Sequence, residues 1–201
     1  PQKYFVEQIG RDLIEIHVMV PPGASPATYE PKPRQMIALS RANAYFAVGV
    51  PFERAWLKKL ASVNPAMIIF HTDEDIRKLP MKTNSNYEDT EKLHKQKKKS
   101  RQRGLGKEED PFAGKKRYDN PEEGNKNSGY RGIPDPHIWL SPPLVLKQTR
   151  AILNALCKLD PQYRLVYEAN FRNFSSRVKE LDDDLKQTLQ GKEIQFMVFH
   201  P

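Results

Sequence analysis

Between positions 161 and 190 the apolar residues fall at 163, 166, 167, 171, 174, 178, 181, 185 and 189, in steps close to three and four. That spacing keeps one face of an α-helix apolar over about thirty residues, or about 45 Å. A helix of that length does not fit inside one small domain. It predicts a strut joining two lobes. Gly191 ends it, and "EIQFMVFH" then reads as a new strand. With 201 residues the chain has room for one domain or one and a half. The second lobe is therefore barely present in it.

Upstream of the strut, apolar periods alternate between strand and helix. "DLIEIHVMV" (12–20) predicts a strand that stops at Pro21-Pro22-Gly23. "KPRQMIALSRA" (32–42) predicts a helix, "AYFAVGV" (44–50) a buried strand, "PFERAWLKKLAS" (51–62) a helix opened by Pro51, and "AMIIF" (66–70) another buried strand. This βαβαβ rhythm predicts an α/β fold, a parallel sheet with helices on both faces. "LVLKQTRAILNALCKL" (144–159) returns to helical spacing, with Cys157 as a buried thiol. A single cysteine permits no internal disulfide, so the cysteine count does not reveal the compartment. No apolar run of about 18 residues exists, which excludes a transmembrane helix within the chain. The first residues, "PQKYFVEQIG", already look folded rather than like a leader.

The chain's net charge is +8, but residues 82–131 hold 14 Lys+Arg against 9 Asp+Glu. The basicity thus belongs mainly to one charged segment. It has three readings: a solvated tether, a nucleic-acid patch, or a metal-gathering arm. Metal gathering asks for more histidine than His94 alone. Nucleic-acid binding asks for aromatics among the basic residues, and Tyr87, Phe112, Tyr118 and Tyr130 are widely spread. A flexible charged loop is the expectation, with no nucleic-acid partner.

Five histidines are candidates for chemistry: His17, His71, His94, His137 and His200. His17 lies in the first predicted strand and reads as structural; His94 reads as solvated. His71 and His200 follow strand-like runs, and His137 sits in "GIPDPHIWLSPP" between Pro134, Pro136, Pro142 and Pro143. Ligands of open α/β sheets bind at the carboxyl ends of the strands. Neutral imidazoles converging there suit Zn²⁺. The prolines fix the backbone around His137, so its imidazole is held in place before any ligand arrives. Each of these histidines also has a plain reading as a satisfied polar group. No GxSxG, phosphate-binding glycine loop or close Cys/His pair occurs, so no enzyme is expected.

Three stretches carry a resemblance: "VMVPPGASPATYEPKPRQMIALSRANAYFAVGVPFE", "DPHIWLSP" and "FMVFHP". In their order and spacing the chain resembles the cluster A-I metal-binding proteins of bacterial ABC transporters, most closely the zinc type. The resemblance implies two (β/α) lobes with parallel sheets, joined by a long rigid helix, with the metal in the cleft. It divides the chain into an amino-terminal lobe (1–160), a linking helix (161–190) and the start of a carboxy-terminal lobe (191–201). The first strand of the amino lobe and nearly all of the carboxyl lobe then lie outside it. The resemblance further implies that His137 and His200 are metal ligands. Histidine at 200 favours Zn²⁺ over Mn²⁺. An ABC-transporter permease is the implied partner, the carrier is a monomer, and its place is the periplasm or the outer face of the cytoplasmic membrane. Two features depart from the family pattern. Ala27 stands where "PPGxxPHTYEP" has a ligand histidine, and the charged loop is rich in lysine rather than in histidine and acid. A low-affinity or altered-metal relative is the second reading. A water, Glu30 or His71 is left to replace the missing ligand.

Overall fold

The computed structural model describes residues 1–81 and 134–193. In chain order it contains helix α1 (Gln2–Gly10), a 3₁₀ turn (Arg11–Leu13), α2 (Pro33–Leu39), strand β1 (Ala44–Ala47), α3 (Pro51–Val63) and β2 (Ile68–His71). A 3₁₀ turn (Ile138–Leu140), α4 (Pro142–Leu159), another 3₁₀ turn (Pro161–Tyr163) and α5 (Arg164–Leu189) follow. Helices α2, α3 and α4 each begin on a proline. Proline costs nothing there, because its missing N–H has no partner within the helix anyway.

β1 and β2 pair in parallel, in register from Ala44 opposite Ile68 to Ala47 opposite His71. α3 is the crossover that parallel pairing requires. The expected α/β class and the strands at 44–50 and 66–70 are therefore present, in shorter form. The strand expected at 12–20 is not. Residues 11–13 form the 3₁₀ turn, and from Ile14 (φ −136°, ψ 144°) the backbone is extended but joins no ladder among the described residues. The alternation was real: Ile14 and Ile16 pack on the core while Glu15 and His17 face solvent. Alternation sets which face is buried; a strand also needs a neighbour for its amides and carbonyls. Here the Gln35 side chain supplies part of that role, donating to the carbonyls of Val18 (2.9 Å) and Met19 (2.7 Å).

The larger core is helical. Phe5, Val6 and Ile9 of α1 meet Val145, Ile152, Leu153, Leu156 and Cys157 of α4, and Tyr167, Phe171, Phe174 and Val178 of α5. Burying each large side chain of this set contributes about 1.5–3 kcal/mol before ordering costs. α1 was not foreseen. α5 spans 26 residues, about 39 Å. Its apolar spacing holds as expected, yet only the amino-terminal half is buried. Leu181, Leu185 and Leu189 remain exposed. A smaller core joins Leu39, Phe52, Leu60 and Met67 beneath α2 and α3.

The chain divides into two compact units, one of Pro1–Lys78 with Pro136–Pro201 and the other of Leu79–Asp135. In the second unit the described residues form a bridge between Pro80 and Pro134, and the Asp135 amide donates to the Leu79 carbonyl at 2.7 Å. The charged segment 82–131, with His94, and the strand expected after Gly191, with His200, lie outside the described residues.

Candidate metal centre

The carboxyl ends of β1 and β2 form one edge, and the turns that leave it are tied together. After β1 the chain runs through Val48, Gly49 and Val50 into α3. Glu53, in the first turn of α3, reaches back and accepts hydrogen bonds from the amides of Val48 (3.1 Å), Gly49 (2.6 Å) and Val50 (3.1 Å). A carboxylate suits the positive end of a helix. Burial nevertheless pushes the Glu53 carboxyl above its ordinary value; the three amides pull it back, and the charge of Asp73 adds to the rise. Burial and Glu53 together push the Tyr45 hydroxyl up as well.

The turn after β2 is held to the same place. Thr72 is buried, and its amide and hydroxyl both donate to the Ala47 carbonyl at 2.9 Å. Asp73 pairs with Lys78, whose ammonium also donates to the Val48 carbonyl at 2.9 Å. Asp73 Oδ1 is buried without a hydrogen-bond partner among the described residues, 4.0 Å from His71 Nδ1. Gly49 makes this closeness possible. Its φ is +81°, and an added Cβ would fall on Lys78 Nζ and lie 2.6 Å from Asp73 Oδ2. Gly23 has the same φ of +81° with nothing within 4 Å. Gly49→Ala is therefore expected to cost about 1–3 kcal/mol of backbone strain and to displace Lys78 as well. Its melting temperature in a circular-dichroism scan should fall by about 5–10 °C, more than that of Gly23→Ala, which carries the same backbone strain without the collision. Equal losses in the two variants would show that the Lys78–Asp73 contact does not depend on Gly49.

His137 stands on the turn that joins this edge from the other side. It precedes the 3₁₀ turn Ile138–Leu140, with φ −76° and ψ 36°, and is half-buried. Ile138, 4% exposed, packs with Val48 beyond β1 and Ile76 beyond β2. The His137 ring meets Trp139 edge-on at 5.2 Å between centroids. Pro136 is buried beside it, and Pro142 opens α4. The stiffness expected from the prolines thus has a definite form. Both flanking residues, Pro136 and Ile138, are buried.

The turn carrying Ala27 reaches the same end of the sheet. Ala24 and Tyr29 close backbone turns on Pro21 and Ser25, and the Ala27 amide donates to Ser25 Oγ at 3.3 Å. Tyr29 packs on Phe52 at the start of α3, with ring centroids 6.2 Å apart. Ala27 and Glu30 are exposed there. His71 is the last residue of β2 and is exposed, so it stands on this edge too. His17 does not; it is exposed on the extended segment, with Nε2 3.1 Å from Glu15. Among the described residues no three His, Cys, Asp or Glu side chains converge as a metal site. His71 thus ends β2 on this edge, while the turns of His137 and Ala27 are packed against the segments that leave it. The Glu53–Asp73–Lys78 network was missed in the sequence; its one local signal was a glutamate two residues after Pro51.

Comparison with known proteins follows the same line. The family model "Zinc-uptake complex component A periplasmic" (ZnuA) matches residues 1–201. The high-affinity zinc uptake system protein ZnuA of Yersinia pestis is 26% identical over 204 residues, covering 100% of this chain and 57% of that protein. The manganese ABC transporter substrate-binding lipoprotein PsaA of Streptococcus pneumoniae is 26% identical over 192 residues, 92% of this chain and 47% of that one. A crystal structure of ZnuA superposes with a TM-score of 0.71 at 36% identity, covering 100% of this chain and 60% of that chain. The chain spans about half the length of the curated relatives it matches. With the parallel β1–α3–β2 unit, the long α5 and a match along its whole length, the chain belongs to the zinc-uptake complex component A family of periplasmic proteins.

Proposed function

We infer that the chain is the amino-terminal lobe (1–160), the linking helix (161–190) and the opening of the carboxyl lobe (191–201) of an extracytoplasmic metal carrier. The carrier hands Zn²⁺ to an ABC-transporter permease and makes or breaks no covalent bond. The observation that carries this reading is His137, clamped by Pro136, Ile138 and Trp139 on the carboxyl edge of the sheet. A ligand group ordered before binding avoids the entropy of ordering it afterwards. His200 is the second proposed ligand. Imidazole ligands favour Zn²⁺, while Mn²⁺ is better served by carboxylates; relatives named for zinc and for manganese both match this chain.

Ala27 favours a second reading, a carrier of lowered affinity. A methyl group coordinates nothing, so one position of the site is filled by water, by Glu30 or His71, or by a residue of the other lobe. No helix among the described residues is long and apolar enough to cross a membrane. Delivery to a membrane partner therefore rests on docking rather than on insertion of the described helices.

The test is metal binding by the whole protein, purified without a histidine tag and stripped of metal. Titration calorimetry should show one Zn²⁺ bound, with Mn²⁺ at least about tenfold weaker. Manganese binding as tight as zinc would overturn the zinc assignment, and no binding of either would overturn the carrier.

A further inference from the structure

Away from the carboxyl edge, α4 and α5 enclose a groove of about 620 Å³ lined by Arg150, Leu153, Asn154, Cys157, Arg164, Glu168, Phe171 and Arg172. Arg150 is eight residues beyond Pro142, about 12 Å along the helix, so the groove is separate from the turn of His137. Its floor is apolar: Leu153, Cys157 and Phe171 are all buried. Its rim is cationic, with Arg150, Arg164 and Arg172 against the one carboxylate of Glu168.

The arginines are not balanced locally. Arg164 approaches Glu168 only at 3.9 Å. Among the described residues neither Arg150 nor Arg172 has a carboxylate partner. Arg150 instead lies over the Phe171 ring, 4.2 Å from its centroid. Stacking fixes the guanidinium plane and leaves its N–H edge free to donate. At the floor, burial pushes the Cys157 thiol up, the Arg164 charge acts against that rise and the Glu168 charge adds to it. Guanidinia gathered around a concave apolar floor focus positive potential into it. Their forked N–H groups match planar or tetrahedral oxyanions. The volume lies within the range of small-molecule sites, about 300–1,000 Å³.

We propose that the α4–α5 groove is a binding site for a small organic anion, its carboxylate or phosphate held by Arg150, Arg164 and Arg172 and its apolar body against the edges that Leu153 and Phe171 show to the groove. Carboxylate and phosphate share the chemistry that three guanidinia recognise. A neutral ligand of the same shape gains only the floor. Salt weakens the attraction, since the arginines are exposed and the screening length is about 8 Å at physiological ionic strength.

The test uses the metal-stripped full chain with phthalate as the carboxylate, phenyl phosphate as the phosphate and benzyl alcohol as the neutral control. Binding is followed by amide NMR shifts of Leu153, Asn154 and Phe171. Saturable binding of one or both anions is expected, with little response to benzyl alcohol. Whichever anion binds more tightly names the source. Arg150→Gln and Arg172→Gln should each weaken it about tenfold, the effect of removing one charge-assisted contact. Should Arg150→Gln fail to fold for want of its stack on Phe171, Arg172→Gln alone carries the test. Affinity unchanged in the variants, an equal response to benzyl alcohol, or no binding up to about 10 mM overturns the site. Binding of a glutamate-rich peptide but of neither small anion overturns it in favour of a protein partner.

Discussion

Replacing His137 with alanine should reduce the zinc affinity of the whole protein by about 100-fold or more, while its far-ultraviolet spectrum remains that of the folded protein. Residues that only touch metal ligands already change affinity about 10–100-fold when altered, and a direct ligand should exceed them. The turn also has packing anchors besides the imidazole. Ile138 fills the contact with Val48 and Ile76, and Pro136 is buried. One contact of the imidazole is the edge-on one with Trp139, worth about 0.5–1.5 kcal/mol. The measurement is competition against a chelator of known zinc affinity, beside a thermal scan. His17→Ala is the control, since His17 is exposed and lies outside both strands. Equal affinity in wild type and His137→Ala would remove His137 from the site, and a fold lost with the affinity would make its role structural.

What the sequence made legible followed from periods and punctuation. Steps of three and four placed α3, α4 and α5, and Pro51 marked the start of α3; α2 and α4 also begin on prolines, at 33 and 142, which the spacing did not mark as starts. Where a period met no partner the reading failed. Ile14 and Ile16 face inward as an alternating strand demands, but the backbone between them meets no ladder among the described residues. Period is local, and pairing is not. α1 escaped for the opposite reason, because Phe5, Val6 and Ile9 give less than three turns of pattern.

The candidate site divides in the same way. His137 was visible because the prolines that hold it are its near neighbours in the chain. The frame beneath it was not. Lys78 bonds the Val48 carbonyl thirty positions earlier and pairs with Asp73. That geometry exists only once β1 and β2 lie side by side. A sequence shows such residues as ordinary surface charges. Spacing assigned no role to Gly49, although a side chain there would collide with the ion pair.

Ala27→His should strengthen zinc binding by at least about 10–100-fold in the whole protein, judged against the same measure of lesser changes. The position is ready for it. Ala27 is exposed on a turn closed by Ser25 and anchored through Tyr29 on Phe52, at the end of the sheet that holds His137. A new imidazole there needs little ordering of backbone and replaces a bound water with a neutral nitrogen. The gain should be larger at pH 7.5 than at pH 5.5. Imidazole has a reference pKa of about 6.5, so at the lower pH most of it is protonated and must lose its proton to bind metal. The competing account is that another residue already completes the site. His71 is the nearer claimant by element, because it ends β2 on this same edge, and its Nδ1 lies 4.0 Å from Asp73 Oδ1. That distance is beyond hydrogen-bond reach, so the contact does not hold the exposed imidazole in the loop frame. Glu30 is exposed three residues beyond Ala27, and a carboxylate there would shift preference toward harder ions. The two accounts separate in one titration against a chelator, wild type beside Ala27→His, with Zn²⁺ and Mn²⁺ in parallel. A gain for zinc that exceeds any gain for manganese supports a site short of one imidazole. Level or weaker zinc binding would mean that the position is already supplied, and Glu30→Ala and His71→Ala would then show by which residue.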